Sequence, residues 1–180
     1  MCSRNKKQDV TMFASCITRF THSTWEENCN WRERHELQEG CIYNTTVPRP
    51  VSVEVIPFLF MIEMNISDKS IIGVGLIRNY QEEKRHYVYS QNKYNLYTYK
   101  GRFRMSKSEF TEDEISKLED LEVVLFTGYC HMIRGIGISK LPQRLVHKIG
   151  RKDKQIVTYY PNDYNTMFLK AFRRKYGKLY

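Results

Sequence analysis

The stretch "FLFMIEMNISDKSIIGVGLIRN", Phe58 to Asn79, decides how the chain is read. Two apolar runs flank the polar segment "NISDKS", the pattern of two strands joined by a turn, so the middle of the chain is predicted to be a hairpin. Gly73 and Gly75 fall inside the second run as strand glycines and do not form a phosphate loop. Outward from this hairpin, "MFASCITRF" (12–20) reads as a strand. A helix follows in "THSTWEENCNWRERHEL", where Thr24 and Glu27 have capping-box spacing and Gly40 is placed to end it. "VSVEV" (51–55) is a further predicted strand. In "YNLYTYKGRFRM" alternate positions set Tyr97 and Tyr99 on one sheet face. "TEDEISKLEDL" predicts a helix capped by Thr111 and Glu114. "EVVLF" (122–126) and "IRGIGISKL" (133–141) read as strands. "NDYNTMFLKAFRRKYG" is an amphipathic helix with Met167, Phe168 and Phe172 on its apolar side. Short strands interspersed with a few helices indicate an α+β fold, a small curled sheet or barrel with flanking helices, in one domain spanning 1–180.

The 180 residues suffice for a real core, and thirteen tyrosines offer more amphipathic ring surface than a core requires. No apolar run is long enough to span a bilayer and "MCSRNKKQDV" is polar, so a membrane partner and a secretory leader are not expected and a cytoplasmic address is. Five cysteines without paired spacing fit reduced thiols. Charge is unevenly placed. From Lys140 to Tyr180 there are eleven Lys or Arg against two acids, while residues 1–139 hold eighteen of each sign. The entire surplus sits in the basic C-terminal segment, about 140–180, which favours a polyanionic partner, nucleic acid first. Lys140, Arg144, Arg151, Lys152, Arg173, Arg174 and Lys175 are the expected phosphate contacts.

The hairpin and the helix "TWEENCNWRERH" before it resemble the PUA-like superfamily, in which ASCH, EVE and YTH domains share a small pseudo-barrel. The likeness covers about residues 12–80, with the Trp, Asn and Arg of the helix and the Gly-apolar-Gly strand "IIGVGLIRN" in matching places. The chain also resembles proteins of large DNA viruses, which implies the host cytoplasm. The superfamily resemblance implies an RNA or single-stranded nucleic-acid binding module that holds a modified base at the barrel mouth.

Stacking of unpaired bases on aromatic or guanidinium planes, with basic groups along the phosphates, is the chemistry of single-strand recognition. Trp25 and Trp31 are the candidate rings. Six helical residues turn them about 120° apart, so one is core and one faces out. Trp31, beside Asn28, Arg32 and His35, is favoured as the exposed one. Tyr129, His131 and Arg134, between glycines in "GYCHMIRG", are expected to form the opposite rim. A methylated, cationic base, an mRNA cap among them, would gain from such rings by cation–π attraction.

Other classes have their own residues. A small ASCH-like hydrolase acting on nucleic acid or nucleosides would draw on Glu63, His131 and Arg134. No close Cys or His pair exists, so no metal or other cofactor is expected. A virion or assembly protein would use the tyrosine-rich segment 80–99 as a protein interface.

Overall fold

The computed structural model describes residues 11–49, 55–127, 131–142, 145–149, 155–159 and 161–180, with backbone alone for 145–149, 155–159 and 161–162. The elements run β1 (Phe13–Phe20), α1 (His22–Arg34), β2 (Cys41–Thr45), β3 (Phe58–Asn65), β4 (Ser70–Arg78), β5 (Tyr97–Gly101), β6 (Phe103–Ser106), α2 (Glu112–Phe126), β7 (Ser139–Lys140), β8 (Leu145–Ile149), β9 (Gln155–Tyr159) and α3 (Pro161–Tyr176). The fold is α+β. Its main sheet has the order β6-β4-β3-β1-β7 and is not closed into a barrel, and β2–β5 and β8–β9 form separate two-stranded sheets.

The β3–β4 hairpin stands where the apolar runs place it, antiparallel, with Glu63 opposite Gly73 and a register shift after Glu63. β1 lies parallel to β3, Phe13 opposite Phe58, and α1 and β2 belong to the connection between them. Both faces of the sheet are covered. On one face Phe13, Ile17, Phe60, Ile62 and Val74 pack against Leu118, Leu121 and Leu125 of α2 and Phe168 and Phe172 of α3. On the other, Cys16, Phe20, Leu59, Met61 and Ile77 pack against Tyr43, Tyr99 and Trp31. Tyr99 is buried and Tyr97 packs against the same second core, as their alternation predicts.

Three local expectations are corrected. Helix α1 begins earlier than Thr24: Thr21 is its cap, accepting from the Thr24 N–H, while Thr24 Oγ1 accepts from the Thr21 N–H. Threonine thus takes the part assigned to glutamate, and Glu27 instead accepts from the Ser90 N–H. The helix ends at Arg34, where Glu36 turns the chain at φ 52° and the Leu37 N–H bonds Arg32 O, so Gly40 is not its stop. Residues Glu122–Phe126 are the last turns of α2 and not a strand. Leu118, Leu121 and Leu125 continue one helical face, and this packing overrides the β preference of Val123 and Val124. In 133–141 only Ser139–Lys140 is strand. The expected strand at 51–55 lies outside the described residues except for Val55, which is in a turn.

Between the sheet and the β2–β5 ribbon lies a buried ion pair. Arg104 on β6 donates from Nη2 to Glu63 Oε2 at 2.7 Å and from Nε to both carboxylate oxygens at 3.0 and 3.1 Å. Tyr43 Oη donates to Glu63 Oε1 at 2.8 Å. The two charges belong to strands on either side of β4, and the glycines of "GVG" make the room. An added Cβ would lie 2.8 Å from Glu63 Oε2 at Gly73, and 2.0 Å from Tyr43 Oη at Gly75. Burial would lower the Arg104 pKa, but Glu63 more than offsets it and the guanidinium stays charged.

Removing one partner strands the other charge in the interior, so Glu63→Ala should cost about 3–5 kcal/mol in urea denaturation. Glu63→Leu combined with Arg104→Met should cost far less than the two single changes added together; strict additivity would contradict the pairing. Gly75→Ala should cost about 1–3 kcal/mol through overpacking.

Charge also ties α3 to α2 and the turn before it. Arg174 donates to both oxygens of Glu114, at 3.0 and 2.8 Å, and Lys175 pairs with Glu109. Burial would raise the two carboxyl pKa values, but hydrogen bonds from Lys175 and Arg174, and from the Ser106 and Thr111 N–H groups, hold both below the ordinary 4.5. A depressed carboxylate stabilises the fold above its ordinary pKa, and that contribution is lost as pH falls through the lowered value. Thermal stability should therefore decline on acidification below about pH 4.5, modestly because these partly exposed pairs contribute less than about 1 kcal/mol each. The double variant Glu109→Gln, Glu114→Gln should flatten that decline; an unchanged acid profile would contradict the assignment.

Candidate nucleic-acid interface

The two tryptophans diverge as helix geometry requires, but Trp31, expected to be the exposed ring, is the core one, and Trp25 is half-buried. Trp31 is the buried ring, 3% exposed, with the His35 ring stacked on it at 3.9 Å and His86 edge-on at 5.4 Å. Trp25 is half-buried, edge-on to Phe20 at 5.1 Å, with the guanidiniums of Arg32 and Arg104 5.1 and 5.0 Å from its ring centre. The reason is the direction α1 presents to the sheet: the face carrying Asn28 and Trp31 points inward. Asn28 Nδ2 donates to Ile42 O at 2.8 Å, and its Oδ1 accepts from Arg32 Nε at 3.1 Å. Arg32 also donates to Gly40 O. These two polar residues clamp the helix to β2 and its approach, and both are buried.

The glycine-flanked loop is built differently from the expected rim. Arg19 of β1 holds it, donating from Nε to Met132 O at 2.6 Å and from Nη1 to Ser139 Oγ at 3.1 Å. Gly135, at φ 145°, lies against that guanidinium, and Gly137, at φ 68°, lies against Val47. His131 and Arg134 are exposed, and Tyr129 lies outside the described residues. Among the described residues the loop is placed on Arg19 and Val47, while Trp31 is placed on His35 and His86.

Of the expected phosphate contacts, Arg174 and Lys175 are engaged with Glu114 and Glu109, and Arg173 donates to Tyr180 Oη at 2.9 Å. Lys140 is half-buried in β7, opposite Cys16 of β1. Arg144, Arg151 and Lys152 lie outside the described residues.

A cleft of about 690 Å³ lies at the far end of β4, and none of the expected site residues lines it. The β5–β6 turn approaches β4 so closely that a Cβ on Gly101 would lie 2.0 Å from Leu76 O. That approach sets Lys100 and Arg102 beside Arg78, with Lys178 arriving from the segment after α3. Among the described residues these four cations have no carboxylate partner, and Glu82 is the only acid in the lining. Tyr80, 52% exposed, and Phe103, whose ring lies 4.7 Å from Tyr176, supply aromatic surface. Tyr180 closes one side, its ring 5.1 Å from that of Phe58.

A smaller groove of about 290 Å³ is lined by Trp31, Arg34, His35, Lys84, Arg85, His86 and Tyr87. Asn95 sets the shape of this segment: its Oδ1 accepts from the Val88 and Tyr89 N–H groups and its Nδ2 donates to Tyr89 O. Arg85 donates to Asn95 O and Asn92 O with its guanidinium 5.1 Å from the Tyr87 ring centre. Burial, with Lys100 and Lys84 nearby, lowers the His86 pKa against the opposing pull of Glu82. The tyrosine-rich segment is thereby divided, with Tyr80 and Tyr87 exposed and Tyr89 and Tyr99 in the core.

Neither lining includes a serine, threonine or cysteine among the described residues. Burial pushes the thiols of Cys16 and Cys41 up to about 12, and Glu63 is consumed by its ion pair. Among the described residues no three His, Cys, Asp or Glu side chains gather as a metal site, and no helix is long and apolar enough to cross a membrane. The cleft cations were legible only as the alternation of basic and aromatic residues in "RNY" and "YTYKGRFR". Compared with protein-family models, with curated proteins and with solved structures, the chain finds no match in any of the three.

Proposed function

We propose that the protein binds single-stranded nucleic acid, RNA in the first place, in the cleft formed by Arg78, Lys100, Arg102 and Lys178 around Tyr80 and Phe103. The observation that carries this reading is the contrast in charge use: these four cations lack acidic partners among the described residues, whereas Arg174 and Lys175 of α3 are neutralised. Cations left unpaired beside the exposed ring of Tyr80 and the half-buried ring of Phe103 match a strand whose phosphates seek charge and whose bases seek flat surfaces. A cage for a methylated base draws no support from the tryptophans, since Trp31 is inside and Trp25 already faces two guanidiniums. The proposal stands on the cleft and not on the PUA-like resemblance, because segments 122–126 and 134–138 are helix and irregular chain here.

Fluorescence anisotropy with labelled oligouridylate tests the reading. Tyr80→Ala should weaken binding about ten-fold to a hundred-fold if the ring carries a base, stacking being worth about 1–3 kcal/mol. Arg78→Gln with Arg102→Gln should weaken binding and flatten its salt dependence by about 1.4 in slope, at about 0.7 for each phosphate no longer neutralised. Arg174→Gln should leave both unchanged. Failure to bind any single strand, or binding indifferent to the cleft variants, would overturn it.

A further inference from the structure

The two clefts adjoin along two segments of the chain. Glu82 lines the first and Lys84 the second; likewise Leu37 lines the first and His35 the second. Lys100, in the first, is close enough for its charge to act on His86, in the second. Positive charge predominates on both sides of the boundary, where Glu82 is the one acid in either lining. Arg34, Lys84 and Arg85 line the second groove without a carboxylate, next to the four cations of the first. Lys84 and Arg34 have no ion-pair partner among the described residues. His35 adds a platform, since one face of its ring lies on Trp31 at 3.9 Å and 12° while the residue itself is exposed.

We infer that the two clefts form one continuous track, so that the ligand is an extended single strand running from Arg78 and Arg102 past Lys100 to Lys84 and Arg34. A base stacks on the outer face of His35 in the second groove. This inference rests on the proposed function and deepens it: a mononucleotide, or a cap structure alone, fills only the first part. The rigid Trp31–His35 stack explains why a buried tryptophan lies beneath a basic surface groove. It supports the exposed imidazole plane against which a base can lie, and ring-on-base stacking tolerates any sequence.

The test is a length series of oligouridylates, from a dinucleotide to a dodecanucleotide, against the full chain and the double variant Arg34→Gln, Lys84→Gln. Both changed residues are on the surface, and a cooperative melt confirms each variant's fold. Affinity should rise with length past the shortest strands that bind. The double variant should leave dinucleotide binding intact, weaken dodecanucleotide binding about ten-fold and reduce its salt slope by about 1.4, at about 0.7 for each phosphate no longer neutralised. His35→Ala should also weaken the long strand alone. Full dodecanucleotide affinity in these variants, with Arg78→Gln and Arg102→Gln still damaging, would overturn the track while leaving the first cleft as the binding site. Absence of binding at every length would overturn the track together with the function on which it rests.

Discussion

The fold turns on one buried interaction, the carboxylate of Glu63 held by the guanidinium of Arg104 across the glycines of β4. Two charges removed from water are costly, and their mutual attraction offsets that cost only when geometry is good and the remaining lone pairs are filled. Here three hydrogen bonds come from Arg104 and one from Tyr43. Each supporting group comes from a different element: Tyr43 from the ribbon, Trp25 from α1 and the glycines from the central hairpin. A one-residue slip of β4 would bring Val74 into the space that Gly73 and Gly75 leave open. Register in the main sheet and the seating of the ribbon upon it are thus one constraint.

That constraint reaches the surface through the ribbon. β2 is seated by Tyr43, β5 is paired to β2, and the turn after β5 lies so close to Leu76 that only glycine fits. Lys100, Arg102 and Arg78 are therefore gathered by backbone packing, without a carboxylate partner among the described residues. Placing several like charges together is unfavourable in isolation. On the proposed function, an anionic strand is what offsets that repulsion. The cations of α3 have the opposite use, since Arg174 and Lys175 fasten that helix to α2 and the turn before it.

The hairpin, the closing helix and the cap at Thr111 were legible because each is written in neighbouring residues. Local signals failed where distance decided the outcome. Val123 and Val124 look like strand until Leu118, Leu121 and Leu125 are seen packed against the sheet. Composition alone could not say which tryptophan faces inward; the orientation of α1 is fixed by Asn28 reaching Ile42 O. Glu63 and Arg104 are 41 residues apart in sequence. The only hints of their pairing were a lone acid in an apolar strand and two glycines at alternate positions in the next. In the basic C-terminal segment the pairing of Arg174 and Lys175 with Glu114 and Glu109 was hidden for the same reason, since the partners lie 60 and 66 residues away. Charge counts register surplus, whereas function depends on which charges remain unpaired after folding.

Photocrosslinking tests the central claim most directly. A single-stranded RNA carrying thiouridine at every position would be irradiated with the full chain, and the modified peptides identified by mass spectrometry. The account expects adducts in segments 78–87 and 100–103, at Tyr80, Tyr87 and Phe103 above all, with His35 marked by longer strands. Adducts confined to the exposed face of α3, around Arg173 to Lys175, or to the loop bearing His131 and Arg134, would contradict it.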